Sequence, residues 1–282
     1  MQRSLYDRYG IAKYSVHIRF FNDEKGYPRS VALRHFMSFG DIIPQKLTYK
    51  FYQERSGVFM IYIAPSLLAA DYSNLAADIK RVDEAGAQYL HLDIMDGAFV
   101  PNISFGPELI SGIRKCTDMI FDVHLMIKRP ERYIDRFVKA GADIITVHYE
   151  ACENPMSVIH LIHSYEMKAG IAVSPKTPVE HLFPLINHID MALIMTVEPG
   201  FGGQSLIPET LDKISTLRRY ASERGINLDI EVDGGINADN VGLLTSSGAN
   251  IIVAGSAIFK SKKPRAVIQA MKETAKLNPF KG

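Results

Sequence analysis

From Ile61 onward one pattern recurs eight times: a short run of β-branched and aromatic residues, a loop, a helical stretch and a closing glycine. The runs centre on Tyr62-Ile63, Tyr89 to Met95, Ile120 to Met126, Asp143 to His148, Gly170 to Ser174, Met191 to Thr196, Asp229 to Asp233 and Asn250 to Ala254. Between them, apolar residues fall at i, i+4 and i+7, the spacing of one helix face. Leu75, Ile79 and Val82 behind a Ser73 cap are one such set, and Val158, Ile162 and Tyr165 another. Gly86, Gly141, Gly170, Gly225 and Gly248 each follow a helical stretch and precede a strand, where a left-handed residue closes a helix. Strands joined through helices pair in parallel, and a parallel sheet covered on both faces reads as apolar runs rather than as alternation. Eight units in about 220 residues therefore predict an α/β fold, the (β/α)8 TIM barrel. A doubly wound open sheet is the competitor. No GxGxxG follows the first strand, and polar residues end nearly every strand, which favours the barrel.

Residues 1–59 fall outside this repeat. They carry ten Lys/Arg against five Asp/Glu, whereas residues 60–282 carry 22 against 26, and they hold twelve of the chain's 27 Tyr and Phe. Tyr14 to Phe21 has the content of a strand, but no helical or alternating pattern persists. A basic, aromatic arm for single strands is one reading, but the charges and rings fall on no recognisable fold. The segment is expected to be a non-barrel extension, either a mis-assigned start or disordered. Gln53-Glu54-Arg55 can be encoded by a purine-rich stretch resembling a ribosome-binding site, and Met60 follows at a plausible distance. Translation is then expected to begin at Met60, with residues 60–282 forming the barrel. An intact N-terminal mass that includes residues 1–59 in natively expressed protein would contradict this.

Over the whole chain, 32 Lys/Arg against 31 Asp/Glu leave no basic field to hold a polyanion, so nucleic acid is not an expected partner. Cys116 and Cys152 fit neither a CxxC nor a zinc spacing, and a reducing cytoplasm suits them. No run reaches the roughly 18–20 apolar residues of a membrane helix, and no apolar signal stretch opens the chain. Neither membrane association nor export is expected.

In such a barrel, polar groups at the C-terminal ends of the strands meet around one pocket. His91 and Asp93 are two apart on the second strand and so share a face; His124 sits late on the third strand and Asp233 ends the seventh. Singly, each reads as well as a core histidine or a helix-capping aspartate. Together, two imidazoles and two carboxylates make a site for one divalent metal ion such as zinc, iron(II), manganese or cobalt. Gly200, Phe201, Gly202 and Gly203 follow the sixth strand, Gly234 and Gly235 the seventh, and Gly255 and Ser256 the eighth. They are ordinary turns or, taken together, a backbone cradle for phosphate at the place barrels favour. Met95, Met126 and Met195 either fill gaps in the core or floor the metal pocket. Ser66 either adds a hydroxyl to the rim or makes a turn bond.

These segments carry a resemblance. In IAPSLLAAD, HLDIMDGAFVPNISFG, FDVHLMI, MTVEPGFGGQ, EVDGGI and VAGSAIF, in that order, residues 60 to about 275 resemble the ribulose-phosphate 3-epimerase family. The resemblance implies an isomerase that inverts C3 of a ketose phosphate, taking D-ribulose 5-phosphate to D-xylulose 5-phosphate in the pentose phosphate pathway. It implies His91, Asp93, His124 and Asp233 as metal ligands, and Asp93 with Asp233 as the acid/base pair working through a metal-stabilised enediolate. Ser66, His124, Gly200 to Gly203, Asp233 to Gly235, Gly255 and Ser256 would contact the sugar phosphate, and the protein would be a homo-oligomer, from dimer to hexamer. Two positions depart from the family pattern: Ala98 stands where His is usual, and Ser174 where Asn is common. Both bear on substrate choice, so D-allulose-6-phosphate 3-epimerase, with the same mechanism, is the alternative. A related lyase would be expected to carry Asp-x-Lys where this chain has His91-Leu92-Asp93. A non-catalytic phosphosugar sensor would be expected to have a broken aspartate pair.

Overall fold

The computed structural model describes residues 60–280, so the extension read over residues 1–59 lies outside the described residues. Eight strands form one parallel sheet: β1 (Tyr62–Pro65), β2 (Tyr89–Met95), β3 (Ile120–Met126), β4 (Ile144–His148), β5 (Lys168–Val173), β6 (Met191–Met195), β7 (Asp229–Asp233) and β8 (Ile251–Ala254). Each pairs with its chain neighbour from β2 to β8, and β8 returns to β1. The remaining seam, β1 against β2, is joined by a parallel bridge between Ser66 and His91. A (β/α)8 barrel results.

The helices are α1 (Leu75–Glu84), α2 (Pro107–Arg114), α3 (Ile134–Ala140), α4 (Pro155–Ser164), α5 (Thr210–Ser222), α6 (Val241–Ser247), α7 (Ser256–Phe259) and α8 (Pro264–Leu277). Pro107, Pro155 and Pro264 open three of them, where a missing N–H costs nothing. Gly86, Gly141, Gly225 and Gly248 take positive φ after their helices, as their placement predicts.

Three local expectations fail. Gly170 lies inside β5, where a Cβ would overlap the hydroxyl of Thr146, its register partner on the neighbouring strand β4; the left-handed residue after α4 is Glu166 at φ 61°. Ser73 belongs to a 3-10 turn, Tyr72–Asn74, which Asp71 caps by accepting from the Ser73 N–H at 3.0 Å. Tyr165 falls just past α4 and is 39% exposed, so that helix buries Val158, Ile159 and Ile162 instead. The connection from β5 to β6 also departs from the repeat, with a 3-10 turn at Val179–Leu182 in place of an α-helix.

The two strand faces divide the core. Leu90, Leu92, Phe121, Val123 and Leu125 point outward and join the shell shared with the helices. Their neighbours point inward: Tyr62, Tyr89, Ile120, Ile144, Met191 and Ile251 form an apolar plug at the N-terminal end of the barrel. Fully burying one such side chain contributes about 1.5–3 kcal/mol, whereas a buried polar group left unpaired costs about 1–3 kcal/mol. The plug and shell thus support the polar residues that the same strands carry inward at their C-terminal ends.

Candidate active site

The alternation that points Tyr89 and Ile120 into the plug also points His91, Asp93, Asp122 and His124 into the barrel further along β2 and β3. Register sets Asp93 beside His124 and, on the other side, Met195 beside Asp233. One ligand atom from each of His91, Asp93, His124 and Asp233 lies within 4.8 Å of the others. His91 Nε2 is 3.3 Å from Asp93 Oδ1 and 3.9 Å from Asp233 Oδ2, while His124 Nδ1 is 3.3 Å from the same Asp93 oxygen. His91 Nε2 is fully buried yet makes no hydrogen bond. An orphaned imidazole nitrogen facing two carboxylates, with a second imidazole alongside, fits a divalent cation.

Residues that sequence reasoning passed over support this set. His91 Nδ1 lies 2.7 Å from Asp122 Oδ2 and 3.4 Å from Glu231 Oε1, so Nδ1 keeps its proton and the inward Nε2 is the nitrogen left to ligate once it gives up its own. Asp122 and Glu231 precede His124 and Asp233 by two residues, and that period was the one available signal for them.

The field inside the site splits the two aspartates. Burial alone would raise Asp93, but the positive charge of the neighbouring His91 holds it far below the ordinary carboxylate range. Asp233 is pushed up to about 7, by burial first and then by the negative charges of Asp93 and Asp122. Burial pushes His91 down, and the surrounding Asp93, Asp122 and Glu231 charges outweigh that and hold it well above its usual value. His124 is lowered to about 4, chiefly by burial. One carboxylate is thus held ionised beside another that exchanges its proton near neutral pH, the condition for a base and an acid at one pH.

Above the cluster opens a cavity of about 870 Å³ lined by Asp93, Asp233, Ser66, Gly200 to Gly203, Gly234, Gly235, Gly255 and Ser256. Met95, Met126 and Met195 line it too, while His91 and His124 lie behind it, fully buried. Ser66 donates to Asp93 Oδ2 at 2.7 Å, so its hydroxyl belongs to the aspartate rather than to a turn. Gly234 and Gly235 have φ of 125° and 68°, and a Cβ on Gly235 would run into the backbone of Ser205 and Leu206. The β7 loop is consequently held against the β6 loop, which Asn102 ties to the β2 loop by donating to Gly200 O at 2.8 Å. Lys260, beyond α7, also reaches the cavity and supplies a cation that the loops themselves lack. Ala98 and Ser174 take other parts: Ala98 N–H donates to Asp96 at 2.9 Å, and Ser174 N–H donates to Glu150 at 2.8 Å.

With this geometry in hand, the comparisons with known proteins become specific. Residues 62–259 match the model of the ribulose-phosphate 3 epimerase family. The chain belongs to that family. It is 47% identical over 210 residues to the ribulose-phosphate 3-epimerase of Bacillus subtilis, covering 74% of this chain and 97% of the relative. The protein of that name from Synechocystis is also 47% identical, over 221 residues, 78% of this chain and 96% of the relative. Among solved structures, 3-keto-L-gulonate-6-phosphate decarboxylase from Vibrio cholerae superposes with a TM-score of 0.58 at 16% identity, over 78% of this chain and 99% of the other. That likeness is one of fold. The family's chain here has no helix among the described residues that is long and apolar enough to cross a membrane.

Proposed function

We infer that the protein is a ribulose-phosphate 3-epimerase that interconverts D-ribulose 5-phosphate and D-xylulose 5-phosphate. The observation that carries this reading is the convergence of Asp93 and Asp233 with His91 and His124 beneath a glycine-rimmed cavity, in a chain of this family. The C3 proton of a 2-ketose is weakly acidic because the adjacent carbonyl accepts the charge left behind. Asp93 takes that proton, and Asp233 gives its own to the opposite face of the planar carbon, which inverts the centre. His91, Asp93, His124 and Asp233 would hold a divalent cation, which would supply positive charge to stabilise the negative charge that develops on the substrate oxygens. Ser66, by donating to Asp93 Oδ2, orients the carboxylate toward the cavity. The loops at Gly200 to Gly203, Gly234-Gly235 and Gly255-Ser256 take the phosphate, with Lys260 near enough to add its charge.

Zinc, iron(II), manganese and cobalt all suit two imidazoles and two carboxylates, and metal supply in the cell decides among them. A cytoplasmic setting is supported by two free cysteines and by the name of a rice relative, a cytoplasmic isoform 45% identical to this chain. We also read the protein as a homo-oligomer, which light scattering of the purified chain checks.

Ala98 and Ser174 are the observations that keep allulose 6-phosphate as a second candidate substrate. The deciding experiment is kcat/KM for the two sugar phosphates side by side, on chelator-treated and metal-restored enzyme. A preference for ribulose 5-phosphate by orders of magnitude, lost on chelation, is expected. A preference for allulose 6-phosphate would overturn the substrate, and turnover of neither would favour a sensor.

A further inference from the structure

His124 has a second nitrogen, and that nitrogen is also engaged. Its Nε2 lies 2.9 Å from Nε2 of His148 at the end of β4, and His148 Nδ1 lies 3.1 Å from Oε2 of Glu150. Glu150 Oε1 accepts in turn from the Ser174 N–H at 2.8 Å and from the Thr177 hydroxyl. His148 is fully buried, with the Phe99 ring 4.9 Å from its own.

Counting protons along this row fixes its direction. An amide N–H and a hydroxyl both donate to Glu150, which acts as an acceptor-only carboxylate. His148 therefore carries its proton on Nδ1. With a single N–H, His148 would offer a lone pair on Nε2, and the 2.9 Å contact would then be closed by a proton on His124 Nε2, the arrangement that frees His124 Nδ1 for a cation. The lone pair of His124 is left on Nδ1, 3.3 Å from Asp93 Oδ1. Two electron-rich atoms face each other there, an arrangement that a cation between them resolves.

We propose that His148 and Glu150 are positioning residues: the row Glu150, His148, His124 holds His124 in the tautomer that presents Nδ1 to the metal. This rests on the metal reading given above, and it mirrors, on the second histidine, what Asp122 does for His91.

Zinc affinity of the full chain, measured by competition with a chromophoric chelator, tests it. His148→Phe keeps the volume and removes the acceptor, and it should weaken zinc binding about 10–100-fold. His148→Gln places an amide oxygen near the former Nε2 and should recover most of that loss. A packing role would favour Phe over Gln, so the order Gln above Phe separates hydrogen bonding from filling space. Glu150→Ala, at the less buried end, should weaken zinc in the same direction and serves if His148→Phe does not fold. On the unsubstituted zinc-loaded protein, 15N NMR of the histidines should find His148 protonated on Nδ1 alone. Wild-type affinity in both His148→Phe and Glu150→Ala, or a proton on His148 Nε2, would overturn the inference. Wild-type protein that binds no zinc would instead overturn the metal reading beneath it.

Discussion

The proposed reaction makes Asp233 both a ligand and an acid, and both roles depend on one pKa. Because the folded site holds its carboxyl near 7, well above an ordinary aspartate, cation and proton compete for it across neutral pH. Metal affinity of the apoprotein should accordingly rise with pH up to about 7 or beyond, with protons released on binding. The raised His91 adds to the effect in the same direction, since it too must lose a proton to ligate. Titration calorimetry in buffers of different ionisation enthalpy counts those protons, and a count of zero at pH 6 would contradict this. Asp233→Asn should abolish turnover while leaving sugar-phosphate binding detectable; near-normal turnover would remove Asp233 from its role. His91, Asp93, His124 and Asp233 were legible because polar residues at period two on an apolar strand stand out. Asp122, Glu231 and His148 were not: a buried polar residue declares its partner only when another strand is set beside it, and register is not written in either strand alone.

At the scale of elements, the strands were legible nearly to the residue because parallel strands buried on both faces leave unbroken apolar runs. The connections were less so. A glycine between two elements reads as a helix cap whether it ends the helix or starts the strand, and Gly170 shows the difference. Its lack of a side chain serves the barrel interior, where Thr146 occupies the space. Gly170→Ala should destabilise the fold by about 1–3 kcal/mol by overpacking, and Thr146→Gly in the same chain should restore part of it; denaturant unfolding measures both. A fully stable single variant would show that the strands can part. Ser66 holds a comparable position at the β1–β2 seam, pairing with His91 through its backbone and with Asp93 through its hydroxyl. Ser66→Ala keeps the backbone bridge and loses a bond to a charged group, so the fold should lose about 1.5–3 kcal/mol of stability and kcat, with Asp93 no longer held in place, should fall about 10-fold or more. An unaltered kcat would confine Ser66 to closing the barrel.

For the molecule as a whole, the site draws on strands from both ends of the chain's repeat: β2 and β3 supply three candidate ligands, β7 the fourth, and the loops after β6, β7 and β8 the rim proposed to take the anion. No smaller piece of the barrel holds all of these. The family match begins at residue 62, so a chain running from Met60 to Gly282 should unfold cooperatively and keep its turnover. A truncated chain that folds but loses kcat would instead give residues 1–59 a part in the reaction. The most direct measurement, however, follows the proton itself. Ribulose 5-phosphate is incubated with metal-loaded enzyme in deuterium oxide, and the C3 position of the first xylulose 5-phosphate formed is read by NMR. Transfer between two carboxylates predicts deuterium at C3 from the earliest turnovers, because the proton delivered by Asp233 comes from solvent and not from the substrate. Xylulose 5-phosphate that keeps the original C3 hydrogen would contradict it.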